Sequence, residues 1–146
     1  MSGERALWIY LANGMRGRWH AQRHEDKYAS GIPDVSYAIH GVDGWIELKS
    51  LSRRPARPEV GLSKIQSAWL TLRGRMGNGN CFVLARFGRE HLLFSWKVSG
   101  VLTEKQPLSV LYEISLAKWA RGIDFNELSS FLGRIRGNTR PERASS

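Results

Sequence analysis

Hydrophobic residues recur along this chain at two spacings, helical and every second position, and each switch marks an element. Residues 4–12 place Ala6, Leu7, Tyr10 and Leu11 on one helix face, with Ser2 positioned to cap it and Asn13-Gly14 to stop it. Residues 18–24 alternate and predict a first strand. Val35, Tyr37 and Ile39 recur every second position, as a half-buried strand requires. Gly41-Val42-Asp43-Gly44 reads as a turn, and residues 45–50 as the returning strand of a hairpin. Residues 51–62 carry Pro55 and Pro58 and predict an exposed loop. Ser63 opens the clearest helix, in which Ile65, Ala68, Trp69 and Leu72 form an apolar stripe. Gly77-Asn78-Gly79-Asn80 closes it. The apolar run 81–85 predicts a central strand, joined through Gly88 to another at 91–96. Residues 108–120 predict a helix. Asp124 and Glu127 make a capping box for a last helix over 124–135, striped by Leu128, Phe131, Leu132 and Ile135. This order predicts an α/β fold with a mixed central β-sheet flanked by helices.

Length permits one domain with a real core, and the expectation is a single domain over 1–136. Residues 137–146 are polar, basic and aperiodic, which predicts a flexible tail. Hydrophobic residues are 42% and charged residues 24%, an ordinary balance for a soluble globular chain. No apolar run approaches a membrane span, no signal-peptide core is present, and Cys81 has no internal disulfide partner. The expectation is an intracellular, cytoplasmic protein that does not meet a membrane. The net charge of +9 changes the picture more, because it suits a polyanionic partner. A merely soluble basic protein, or one with an acidic protein partner, is the rival reading. The charge is clustered: Arg53, Arg54 and Arg57 lie in the proline-containing loop, and Arg134, Arg136, Arg140 and Arg143 crowd the C-terminus.

The candidate chemistry centres on the predicted hairpin. Glu47 and Lys49 project from one face of a strand, and Asp34 starts the preceding strand within reach of that face. Two carboxylates and an ammonium are a minimum set for holding a divalent metal and activating a water beside a phosphate. The backbone carbonyl of Leu48 is a further candidate ligand. Glu4 and Glu25 are further acids; the first also suits a helix N-terminus and the second a surface loop. Gln66 has two readings of equal weight, as part of the site or as the partner of Ser63 in a capping box. His20 and His24 share a strand side without a cysteine partner, so a zinc site is not expected. Trp69 and Cys81 read as core. Taken singly, a Pro-Asp pair and a Glu-x-Lys pair are common surface features; their combination on paired strands carries the reading.

The order Gly31-Ile32-Pro33-Asp34, then Trp45-Ile46-Glu47-Leu48-Lys49, then Leu62-Ser63-Lys64-Ile65-Gln66-Ser67-Ala68-Trp69-Leu70 resembles a PD-(D/E)xK nuclease. More narrowly it resembles the virus-type replication-repair nuclease family, whose small stand-alone members are frequent in phages and are similar to Holliday-junction resolvases. The resemblance covers residues 29–85. It implies a restriction-endonuclease-like core and Mg²⁺- or Mn²⁺-dependent cleavage of DNA by a homodimer, in the host cytoplasm for a phage-encoded member. Asp34 and Glu47 would be metal ligands, Lys49 catalytic, and Gln66 a support. DNA contacts would come from Arg53, Arg54, Arg57, Arg134 and Arg136. Branched DNA, above all the four-way junction, is the expected substrate. A nonspecific or sequence-specific duplex nuclease, and a non-catalytic DNA-binding module, are the alternatives.

Overall fold

The structure is a computed structural model that describes residues 3–25, 30–51 and 56–135. Among these residues six strands form one mixed sheet in chain order: β1 His20–Arg23, β2 Val35–Ile39, β3 Val42–Leu51, β4 Cys81–Phe87, β5 Glu90–Ser95 and β6 Ala117–Trp119. Only β3 and β4 run parallel, because the helix α2, Lys64–Met76, carries the chain between them. The α/β expectation of a mixed sheet flanked by helices is what the chain adopts. The run beginning at Cys81 is central, as its unbroken apolar character predicts.

Strand alternation divides the core in two. On one face Ile46, Leu48, Phe82, Leu84 and Leu93 meet α1, Gly3–Gly14, and α4, Phe125–Leu132, through Leu7, Leu11, Leu128 and Leu132. On the other face Val83, Ala85, Leu92 and Phe94 meet Val60, Leu62, Leu70 and Leu111. Here Leu70 belongs to α2 and Leu111 to α3, Leu108–Ile114. Each fully buried Leu or Phe contributes on the order of 2 kcal/mol of transfer free energy. No helix among the described residues is long and apolar enough to cross a membrane.

Several expectations are corrected. The hairpin turns at His40-Gly41, not over 41–44: Ile39 faces Val42, and both intervening residues have positive φ, 49° and 81°, the signature of a type I′ turn. Residues 56–62 are a loop, as expected, but only half exposed: Ala56, Arg57, Glu59 and Gly61 face out while Pro58, Val60 and Leu62 are buried. The helix expected over 108–120 ends at Ile114, and the segment behind it becomes β6, hydrogen-bonded to the edge of β5. Ile135 lies beyond α4 and is exposed. The α2 stripe is reversed. Ile65, Leu72 and Met76 are 57%, 63% and 79% exposed, while Ser67, Leu70 and Gly74 are buried. Small residues take the inner face because a 3-10 turn, Trp96–Val98, comes close: a Cβ on Gly74 would stand 2.3 Å from the Trp96 ring. The hydroxyls of Ser67 and Ser99 hydrogen-bond at 2.8 Å across the same contact. The Ser2 cap and the tail over 137–146 lie outside the described residues.

Candidate active site

The odd positions of β3 face α2, so Trp45, Glu47, Lys49 and Leu51 share that side while Ile46 and Leu48 enter the other core. Glu47 is 2% exposed. Its Oε2 accepts a hydrogen bond from Gln66 Nε2 at 2.9 Å and lies 3.6 Å from Lys49 Nζ. Gln66 reaches it because it stands in the first turn of α2. There the Ser63 N–H donates to Gln66 Oε1 at 2.9 Å, and the Gln66 N–H donates to Ser63 Oγ at 3.0 Å. This is a full capping box, and it leaves the amide nitrogen aimed at the carboxylate. Gln66 therefore closes the capping box and contacts the Glu47 carboxylate with the same side chain.

Asp34 arrives from the other side of β3. Gly31, with φ +87°, lies so close to the first turn of α2 that a Cβ would be 2.8 Å from the Ile65 carbonyl oxygen. Backbone angle and space alike call for glycine there. Pro33 then limits the approach to Asp34. Pairing of β2 with β3 ends at Val35 opposite Ile46, and beyond it the Asp34 Oδ2 accepts the Leu48 N–H at 2.8 Å. A residue in an extended strand sends its N–H and C=O to the same edge, so the Leu48 carbonyl faces the Asp34 side as well.

Asp34, Glu47 and the Leu48 carbonyl supply hard oxygen donors from adjacent strands. A small divalent cation that keeps several of its waters needs no more than one or two carboxylates, so this donor set fits Mg²⁺ or Mn²⁺. Among the described residues no three His, Cys, Asp or Glu side chains converge. Glu4, half-buried in the first turn of α1, and Glu25, exposed after β1, thus do not build a three-carboxylate cluster with Asp34 and Glu47. Burial pushes the Cys81 thiol up to about 12, which leaves it a core residue and no nucleophile.

The arginines are spread out. Arg57 is exposed in the segment that follows β3. Arg134 is exposed behind α4, with its guanidinium over the Phe131 ring. Its neighbour Gly133 lies beside Ile39 and His40, at the far end of β2 from Asp34, so Arg134 does not join the carboxylates. Arg53, Arg54 and Arg136 lie outside the described residues.

An aromatic and cationic cluster continues the site, and the sequence reading did not assemble it. His24 stacks on Trp45, the rings of Trp45 and Trp69 meet edge to face, and the Arg73 guanidinium lies 5.4 Å and 4.7 Å from their centroids. Trp69 is therefore half-buried in a mixed cluster, not core alone. A signal for it was present. Trp45 is two positions before Glu47 on one strand face, and Gln66, Trp69 and Arg73 follow i, i+3, i+7 on one helix face.

No protein-family model matches the chain, and no curated protein matches it. Among solved structures it is similar to Archaeoglobus fulgidus Hjc, a Holliday junction resolvase from an archaeal hyperthermophile. The TM-score is 0.57 and the identity 19%, over 87% of this chain and 97% of that one. What the two chains share on this ground is the α/β fold.

Proposed function

We propose that this chain is a metal-dependent DNA endonuclease acting on branched DNA, with resolution of four-way junctions as its reaction. The observation that carries the reading is that Gln66 and Lys49 both meet the Glu47 carboxylate while Asp34 accepts the N–H of Leu48, the next residue along β3. The fold in common with an archaeal resolvase and the net charge of +9 support it. The narrower likeness to the virus-type replication-repair nucleases, phage members included, rests on the order of the motifs.

Asp34 and Glu47, with the Leu48 carbonyl, would hold Mg²⁺ or Mn²⁺. When bound, such a cation lowers the pKa of a water and polarises a phosphoryl oxygen. Lys49 orients the attacking water and offsets negative charge as it develops on the phosphate. Gln66 fixes the Glu47 carboxylate, and the α2 N-terminus favours the anion. Arg53, Arg54, Arg57, Arg134 and Arg136 are the proposed phosphate contacts, since such contacts set register and most salt-sensitive affinity. Two symmetric incisions across a junction need two active sites, so the working form is a homodimer. The compartment proposed is the cytoplasm.

The test is cleavage of a labelled four-way junction, a fork and a linear duplex with Mg²⁺. Wild type should cut the junction in paired, symmetric positions. Asp34→Ala, Glu47→Ala and Lys49→Ala should each lose about 100-fold or more in turnover while DNA binding persists. Full activity in excess EDTA, or near-wild-type turnover by any of the three variants, would overturn the assignment. Equal cutting of the linear duplex would remove the branched substrate and leave the nuclease.

A further inference from the structure

On the Trp45 side of the sheet α2 reaches as far as Trp69 and Arg73, and beside them a cavity of about 350 Å³ opens over β1 to β3. His20, Gln22, Ser36, Asp43, Trp45 and Arg73 are among the residues that line it. The period of two accounts for this set. Gln22 faces Ser36 across β1 and β2, and Ser36 faces Trp45 across β2 and β3, all on the sheet side away from Val35 and Tyr37. The cavity also continues the catalytic line. Trp45 stands one pleat repeat, about 6.6 Å, from Glu47 on the same face. Arg73 lies two helical turns from Gln66 on α2.

We infer that this cavity holds one unpaired nucleobase of the DNA beside the cleaved phosphate; the inference rests on the nuclease reading above. The chemistry of the walls selects the base over the other parts of a strand. A phosphate would sit against the Asp43 carboxylate, and the Arg73 charge already lies over two indole rings. An apolar group would leave Gln22 and His20 without exchange for their water, while Ser36 already hydrogen-bonds His24 at 2.8 Å. A nucleobase is flat, offers donors and acceptors on its edge, and stacks on guanidinium planes, which Arg73 supplies here because His24 already stacks on Trp45. A paired base has its edge and both faces engaged, so the occupant is one freed at a branch. The step from Glu47 to Trp45 is of the order of the step between successive nucleotides in an extended strand. A base in the cavity thus belongs to a nucleotide adjoining the scissile phosphate.

The experiment measures binding in EDTA, so that cleavage is not required. Two forked DNAs are compared by fluorescence anisotropy, identical except that the unpaired nucleotides flanking the branch are intact in one and abasic in the other. Wild type should bind the intact fork about tenfold more tightly, the value of one stacked base. Ala38→Leu, which fills the cavity from β2, should bring the ratio to about one without weakening binding of the abasic fork. Gln22 is exposed on the edge strand, so Gln22→Leu tests the same cavity even if crowding at Ala38 unsettles β2. Equal binding of the two forks by wild type, or an undiminished ratio in folded Gln22→Leu, would overturn the inference. Cleavage of junctions by a wild type that ignores the base removes this site and leaves the nuclease. A base preference in a protein that cuts nothing removes the nuclease and leaves the base site.

Discussion

Gln66 shows how one side chain can both cap a helix and hold a carboxylate of the candidate site. Its amide oxygen closes the capping box on Ser63, and its amide nitrogen holds Glu47 Oε2. The two roles separate by mutation. Ser63→Ala removes the cap and should cost about 1 kcal/mol in a urea melt, with cleavage close to wild type. Gln66→Ala loses half of the box as well as the contact to Glu47. It should cost about the same stability and, in addition, about 10- to 100-fold in activity, the usual effect of freeing a ligand's support. Gln66→Glu keeps the box but sets a second carboxylate 2.9 Å from the first. That pair must share a proton or separate, so this variant should lose activity, and its stability should fall as pH rises and the shared proton is lost. Equal activity losses in Ser63→Ala and Gln66→Ala would mean that the cap alone matters.

The inner and outer faces of α2 differ in size as well as polarity. Leu70 enters the core, Ser67 and Gly74 admit the turn at Trp96, and the larger Ile65, Leu72 and Met76 face outward. The helix is held by its smaller face, and its stability should track that face. Leu70→Ala should cost about 2 to 5 kcal/mol, as deletion of a buried leucine does. Ile65→Lys, Leu72→Lys and Met76→Lys should each move stability by no more than about 0.5 kcal/mol. Urea unfolding of the monomeric state checks both. A large loss at Leu72 would place that residue in the core and reverse the helix once more.

At the scale of the whole molecule, a buried histidine sets a pH limit. His91 lies in β5, 4% exposed, stacked on Tyr10 of α1. Burial first, and then the Arg86 charge, lower it from 6.5 to about 4. The folded chain therefore takes up this proton less readily than the unfolded chain. Above about pH 6.5 both states hold neutral histidine and the full stability is present. As pH falls from about 6.5 to about 4 the unfolded state binds the proton first, and stability declines by about 3 kcal/mol. Below about pH 4 both states are protonated and this contribution levels off. Unfolding free energies measured across that window should show the slope, and His91→Phe, which keeps a ring against Tyr10, should flatten it. An unchanged slope in the variant would assign the acid sensitivity to other groups.

Local chemistry made much of this molecule legible. Alternation put Glu47 and Lys49 on one face, the Ser63–Gln66 spacing announced the start of α2, and Val35, Tyr37 and Ile39 marked a buried strand face. These depend on near neighbours in the chain, whose geometry a period of two or 3.6 already contains. Tertiary structure decided what depends on approach from elsewhere. The α2 stripe turned outward because a distant turn needed the room at Gly74. Residues 117–119 became a strand because the β5 edge offered its backbone groups, and strand pairing is a property of two segments. Asp34 met the Leu48 N–H next to Glu47, Gly31 met the first turn of α2, and Arg73 met Trp45 across the helix–sheet boundary. Sequence sets which faces each element can show; which face is covered is set by what packs against it.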